Sequence, residues 1–325
     1  MSKMKTKYML FLVMVVCCLL IGCGQASDGK QSDGKQSDSK RLRVVTTIFP
    51  YYDFVKQVAK DKVELTWLLP SGLDPHAYEP TPKDMLTIKN SDLFVYNGGD
   101  MEAWVPKVIK ASDNKSKTLQ MMDYVKTVEE VTVEGMMKEE EGEEDSGDIE
   151  YDEHIWTSPK KAKIIVTEIA KQLGKLDPKN DAFYTKNAKN YCNKLSSIDS
   201  DIEKIMKDKV RDSIVVGDKF PLRYLVDDYH IKYRAAFVGC SSQTEPDAKT
   251  LSYLINYVKK NNLKYVLHIE NSNCKVANAI TNETNTSQLE FNSLHTLTKK
   301  QLKNHDSYIS IMKKNVAVLK QVLDE

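Results

Sequence analysis

From Asn180 to Val210 the chain runs without a glycine or a proline, and its apolar residues fall at Tyr184, Ala188, Tyr191, Leu195, Ile198, Ile202 and Ile205. Steps of alternating four and three residues are the signature of a helix with one apolar stripe. At a rise of about 1.5 Å per residue such a helix extends roughly 40 Å, enough to cross two small lobes. Spacing alone also allows a coiled-coil seam with a second copy. The stripe is short, however, and the sequence on both sides of it reads as folded. An intramolecular backbone helix is therefore the expectation.

Each flank alternates short apolar runs with helical patterns. Before the long helix, Arg43 to Phe49, Val63 to Leu69 and Leu93 to Tyr96 read as buried strands, and Tyr51 to Ala59 and Thr81 to Lys89 as helices. Ser158-Pro159 is a helix start, a capping residue followed by proline at the first helical position. After the long helix, strands are expected at Ser213 to Gly217, Ala235 to Val238 and Tyr265 to Ile269. Strands that alternate with helices build parallel sheets. The expected fold class is α/β, with two lobes, each a mostly parallel sheet flanked by helices, joined by one long backbone helix. The expected division is 42–178 for the first lobe, 179–211 for the linking helix and 212–325 for the second lobe.

The N-terminal stretch predicts export. Lys3, Lys5 and Lys7 precede an uncharged apolar run from Tyr8 to Ile21, the pattern of a secretion signal and too short to span a bilayer. The run ends in Leu20-Ile21-Gly22-Cys23, which resembles the lipobox of bacterial lipoproteins. That resemblance implies a signal peptide over 1–22 and a lipidated Cys23, and so an anchor in the outer face of the cell membrane. An uncleaved anchor helix is the alternative. Residues 23–41 include SDGKQSDGKQSDSK, a polar repeat that behaves as a flexible tether.

Acidic and basic residues nearly cancel, giving a formal net charge of +1, so no global field favours nucleic acid. Of six cysteines, only Cys192, Cys240 and Cys274 lie in the body. That is no disulfide framework, although an exported setting permits one bridge, with Cys240 and Cys274 as the expected pair. Residues 129–153 carry thirteen acidic residues against a single lysine, Lys138. Such a block repels itself and reads as a solvated loop, with a weak cation trap as its functional alternative.

Two of the six histidines sit in unusual settings. His76 lies in LDPHAYEPTP, where three prolines stiffen the loop, and His154 lies in DEHIWTSPKKA just before a capped helix. PHAYEPTPKDM, DLFVYNGGDMEAW and DEHIWTSPKKA, in this order, resemble the successive blocks of the metal-specific family of ABC-transporter substrate-binding proteins, the zinc and manganese binders. The resemblance covers about Leu42 to Glu325. It implies two α/β lobes on a long backbone helix, with the ion held in the cleft between them.

Carried over residue by residue, the resemblance makes His76 and His154 the two metal ligands of the first lobe. It places a third ligand just after the first strand of the second lobe, where Asp218 is the nearest candidate. A fourth position falls close to His295 in FNSLHTLT, which as a plain loop histidine could equally be a surface residue. Glu270, at the end of YVLHIE, is expected at the carboxyl end of a strand, as a ligand or as a partner that orients one. His268 reads as packed, and His230 and His305 as surface.

Imidazoles with a carboxylate suit zinc in a closed tetrahedron. Manganese prefers more oxygen ligands. Zn2+ is thus the expected ion, with Mn2+ (or iron) as the alternative, and the implied partner is the membrane permease of an ABC importer. A secreted zinc hydrolase would need a general base and an open coordination position. No HExxH or nucleophile elbow is present, so no enzyme activity is expected. A cell-surface adhesin would use the same anchor and tether but would have no need of the two histidine blocks.

Overall fold

The computed structural model describes residues 41–111, 117–137, 150–241, 243 and 245–324. The predicted signal peptide, Cys23, nearly all of the tether and residues 138–149 of the acidic block lie outside them. Among the described residues no helix is long and apolar enough to cross a membrane.

Strands β1 (Leu42–Thr46), β2 (Val63–Trp67), β3 (Leu93–Tyr96) and β4 (Lys117–Gln120) form one sheet in the order β2-β1-β3-β4. Strands β5 (Ser213–Phe220), β6 (Lys232–Val238), β7 (Tyr265–His268) and β8 (Ser287–Glu290) form a second in the order β6-β5-β7-β8. Every pairing within both sheets is parallel, so crossovers cover both faces and the strands read as continuous apolar runs. Helices α1 (Phe49–Ala59), α2 (Pro82–Lys89) and α3 (Val105–Ala111) belong to the first half, and α4 (Pro159–Leu176) leads to the long helix α5 (Asp181–Asp208). The second half carries α6 (Arg223–Tyr229), α7 (Ala248–Lys260), α8 (Lys275–Thr284), α9 (Lys299–Lys303) and α10 (Tyr308–Asp324).

Side chains that alternate along a strand enter different cores. Val44, Leu93 and Val95 join a central core, whereas Val45, Phe94 and Tyr96 pack in an outer one. In the second sheet Ile214, Val216 and Leu267 join the same central core, and Val215 and Val266 a separate outer cluster. All seven stripe residues of α5 are buried in that central core, against residues of both halves. The stripe therefore serves the chain itself, as the intramolecular reading requires. Asp53 adds a polar rivet at this junction. It is buried on α1 and accepts hydrogen bonds from the Tyr191 hydroxyl on α5 (2.9 Å) and the Tyr308 amide on α10 (3.2 Å).

Three local expectations change. The run Arg43 to Phe49 does not remain strand, because Pro50 in the first helical turn presets a helical φ and α1 begins at Phe49. Strand β5 continues past Gly217 to Phe220, with an irregularity between Val216 and Lys219 that sets Gly217 and Asp218 against Ala236 alone. A bulge of this kind bends a strand and re-aims its side chains. Cys240 and Cys274 are not bridged. Cys240 closes the end of β6 beside Glu130, while the Cys274 thiol turns to the Ser272 carbonyl at 3.7 Å. The Ser158 cap is present as expected, and α2 starts at a full capping box of Thr81 with Asp84.

Candidate metal centre

His76 stands in a single 3-10 turn, Pro75–Ala77, on the connection from β2 to α2. The Asp74 carboxylate caps that turn by accepting the His76 amide at 3.0 Å. His154 immediately precedes a second 3-10 turn, Ile155–Thr157. Its loop is bolted to the second half of the chain. The Tyr224 hydroxyl donates to the Asp152 carbonyl (2.8 Å), the Trp156 indole to the Ser293 carbonyl (2.9 Å) and the Tyr308 hydroxyl to the Trp156 carbonyl (2.6 Å). His295 lies between β8 and α9, and its carbonyl accepts the Phe49 amide of the first half at 3.1 Å.

These three rings converge. Their centroids are 4.7 Å apart for His154 and His295, and 5.9 Å for His76 with either. One ligating atom from each lies within 4.8 Å of the others. Among the described residues the Nε2 atoms of all three are buried and without a hydrogen-bond partner. A buried polar atom left bare is costly, and three that converge amount to a preformed set of lone pairs. The other ring nitrogens explain why Nε2 is the bare one. His154 Nδ1 lies 3.2 Å from the Asp152 carboxylate, which can only accept, so Nδ1 carries the proton. His295 Nδ1 lies 2.6 Å from the Ser293 hydroxyl, which gives its own hydrogen to Glu270 at 2.5 Å. While Glu270, which burial raises to about 7, is ionised, that hydroxyl accepts from His295 and leaves Nε2 unprotonated. Carboxylates behind imidazoles in this way fix the tautomer and raise ligand basicity.

Electrostatics separate the three rings. Burial depresses the pKa of His76 to about 4, with His154 adding to the effect. Burial likewise holds His295 well below its ordinary value, with His154 and His76 contributing. Burial opposes charge on His154 too, but Asp152, Glu153 and Glu130 together outweigh it and raise that group. Two of the three rings are thus strongly biased towards the neutral, ligating form.

The expected site residues divide accordingly. His76, His154 and His295 come together. Glu270 stands behind His295, accepting both the amide (2.6 Å) and the hydroxyl of Ser293. Asp218 sits at the β5 bulge and lines the same cleft, yet it is not part of the converging group. Its Oδ1 accepts the Lys219 amide at 2.9 Å and its Oδ2 has no partner among the described residues. His268 is half-buried, and His230 and His305 are exposed.

Sequence reasoning gave no site role to Asp152, Ser293, Glu153 or Cys240. The first two orient the histidines; the last two form a second group with His76, again with ligating atoms within 4.8 Å. The block DLFVYNGGDMEAW shows its purpose here. Glu102 accepts the amides of Asn97 (2.7 Å) and Gly98 (2.9 Å), and the Asn97 side chain donates to the Glu153 carbonyl (2.9 Å). Gly99 has φ +82°, and a Cβ there would stand 2.1 Å from the Glu153 carboxylate. Only glycine admits both that backbone and that neighbour.

The family model for the zinc-uptake complex component A (ZnuA), described as periplasmic, matches residues 44–322. The high-affinity zinc uptake system protein ZnuA of Bacillus subtilis is 34% identical over 319 residues, covering 96% of each chain. The zinc-binding lipoprotein AdcA of Streptococcus pneumoniae is 35% identical over 289 residues, which is 88% of this chain and 56% of AdcA. The chain thus spans only about half the length of that relative. Among solved structures, the Zn(II)-bound ZnuA-like domain of Streptococcus pneumoniae AdcA superposes with a TM-score of 0.73 at 34% identity, covering 88% of this chain and all of that one. With two parallel sheets set on one long helix, and a family match across nearly the whole described body, this chain belongs to the ZnuA family of metal-uptake components.

Proposed function

We propose that the chain captures one zinc ion between His76, His154 and His295 and delivers it to the membrane permease of an ABC importer, working outside the cytoplasm from a lipid anchor at Cys23. The observation that carries this reading is the convergence of three buried Nε2 atoms without partners, two of them with their opposite nitrogens fixed by Asp152 and Ser293. Three imidazoles favour zinc over manganese, which seeks more oxygen. The fourth position falls to water, since Asp218 lines the cleft but stands outside the converging group. The zinc-binding and zinc-uptake relatives support the same ion.

No chemical step is required. Ligands from both halves close on the ion, and the permease supplies the signal for release. Because the His154 loop is tied to Tyr224, Ser293 and Tyr308, the two halves rotate little on loading. Metal analysis of the chelator-stripped protein, reloaded from equal zinc and manganese, tests the proposal. One equivalent of zinc, bound at least about 100-fold more weakly in His295→Ala, supports it; no tight metal would overturn it. The anchor is tested separately by Cys23→Ala, which should release the protein from the membrane fraction.

A further inference from the structure

We infer that Cys240 and Glu153 form, with His76, a second station for a thiophilic metal ion beside the three-histidine centre. The proposal rests on the metal-capture reading only through their shared ligand, His76.

One ligating atom each from His76, Glu153 and Cys240 lies within 4.8 Å of the others, the same closeness as in the histidine group. All three are well placed to hold still. Glu153 is buried, and both its oxygens lie 3.0 Å from the Met101 amide. Cys240 follows Gly239 at the end of β6, where the Glu130 carboxylate accepts the amides of Gly239 (2.9 Å) and Cys240 (3.5 Å). His76 is held through its capped turn.

The surroundings point to a cation. Burial first, and then Glu153, Glu130 and Asp152, hold the Cys240 thiol above its ordinary range, and among the described residues neither Glu130 nor Glu153 is paired with a lysine or an arginine. Lys219, the base of this cleft, pairs instead with Asp74 at 3.7 Å. Partly buried carboxylates that share only the His154 imidazole as a counter-charge repel one another, and a bound metal ion relieves that repulsion. A thiol beside an imidazole and a carboxylate is a donor set for zinc, cadmium or another soft ion; manganese and magnesium avoid it.

A neutral imidazole has one lone pair, so His76 serves one ion at a time. The two stations are therefore alternatives for a single ion, which can pass between them without leaving His76. On binding, the Cys240 sulfur gives its proton to solvent and enters as thiolate. The station adds selectivity for thiophilic ions to a site whose histidines alone discriminate less sharply.

Cadmium, the softest convenient probe, tests this in the otherwise intact protein. One equivalent should bind with a sulfur-to-metal charge-transfer band in the near ultraviolet, and Cys240→Ser should abolish the band. In His295→Ala, which loses the histidine centre, cobalt(II) should still bind, with a sulfur-to-cobalt band, and should slow iodoacetamide alkylation of Cys240 by about tenfold or more. Cadmium bound without a sulfur band, or Cys240 alkylated at the same rate with and without cobalt, would overturn the inference. Failure of the histidine centre is a separate result, because His295→Ala would then leave zinc affinity unchanged whatever the sulfur band does.

Discussion

Glu270→Gln should cripple zinc binding although it changes one atom and leaves the volume of the side chain intact. Burial raises the Glu270 carboxyl to about 7, and above that pH the direction of hydrogen bonding from Glu270 outward is fixed by what each group can donate. The carboxylate accepts the Ser293 amide at 2.6 Å and the Ser293 hydroxyl at 2.5 Å. The hydroxyl, with its hydrogen spent, accepts from His295 Nδ1 at 2.6 Å. A glutamine must keep its oxygen on the Ser293 amide, so its NH2 faces the Ser293 oxygen. That hydroxyl then turns its hydrogen to His295 Nδ1, and the ring proton moves to Nε2, the atom required for metal. The loop offers little slack to adapt, since Leu294, the residue before His295, sits in the left-handed region at φ 65°. A bulky residue there costs about 1–3 kcal/mol and persists only where its surroundings enforce it.

Loss of a group that orients a metal ligand typically weakens binding by about 10–100-fold, or about 1.4–2.8 kcal/mol. Glu270→Gln should reach the upper part of that range, because it imposes the wrong tautomer. Ser293→Ala, which removes the relay without imposing a tautomer, should fall lower. Zinc affinity measured by competition with a chromophoric chelator reads both. Nitrogen NMR of His295 should show the protonated nitrogen switch from Nδ1 to Nε2 in Glu270→Gln alone. A folded Glu270→Gln variant that binds zinc within about twofold of wild type would refute the relay.

The remaining expectations concern the same centre. His295→Ala should lower zinc affinity by at least about 100-fold, whereas Asp218→Ala should change it by less than about threefold; parallel titrations with equal losses would restore Asp218 as a ligand. Gly239→Ala would place a Cβ 2.9 Å from His154 Cε1 and 3.1 Å from the Phe220 carbonyl. Overpacking of this kind costs about 1–3 kcal/mol, so both the melting temperature and zinc affinity should fall, and unchanged values would mean that the ring can yield. Zinc binding should weaken as pH falls, because a proton on any Nε2 displaces the ion. His154, raised by its acidic neighbours, is the first to protonate, while burial keeps His76 neutral down to about 4 and holds His295 well below its ordinary value. Between neutral pH and about 5, affinity should therefore fall by at least about tenfold per pH unit, because Glu270, raised by burial to about 7, also protonates there and releases the Ser293 relay. A slope nearer three would show that the rings titrate together.

Much of the fold was legible because it rests on periodicity. The α5 stripe was readable residue by residue, since burial of one helical face imposes a spacing that survives any tertiary context. Strands buried on both faces wrote themselves as apolar runs. What failed was termination. Phe49 is apolar and continues the β1 run by composition, but Pro50 decides its backbone. The β5 bulge leaves no mark in sequence, because it depends on the pairing with β6. Cys240 and Cys274 both follow strands, yet sharing a strand-end position does not make two thiols face one another.

The centre divides along the same line. His76 and His154 stood out because stiff local sequence, the proline-flanked turn and the Ser158 cap, announces a positioned side chain. His295 carries no such local signal, since what orients it lies far off in sequence, in Glu270 through Ser293 and in the Phe49 amide. Asp218 was expected on the assumption that β5 ended at Gly217. The strand runs on, and the carboxylate turns to the Lys219 amide at the bulge. A ligand set gathered from loops far apart in the chain is specified by the partners behind each ring as much as by the rings themselves; Glu270 was legible from its place at a strand end, whereas Asp152 and Ser293 are ordinary residues until the fold brings them together. The test of the centre therefore lies two hydrogen bonds behind the His295 ring, in Glu270, where an isosteric change separates a histidine that is merely present from one whose lone pair is aimed.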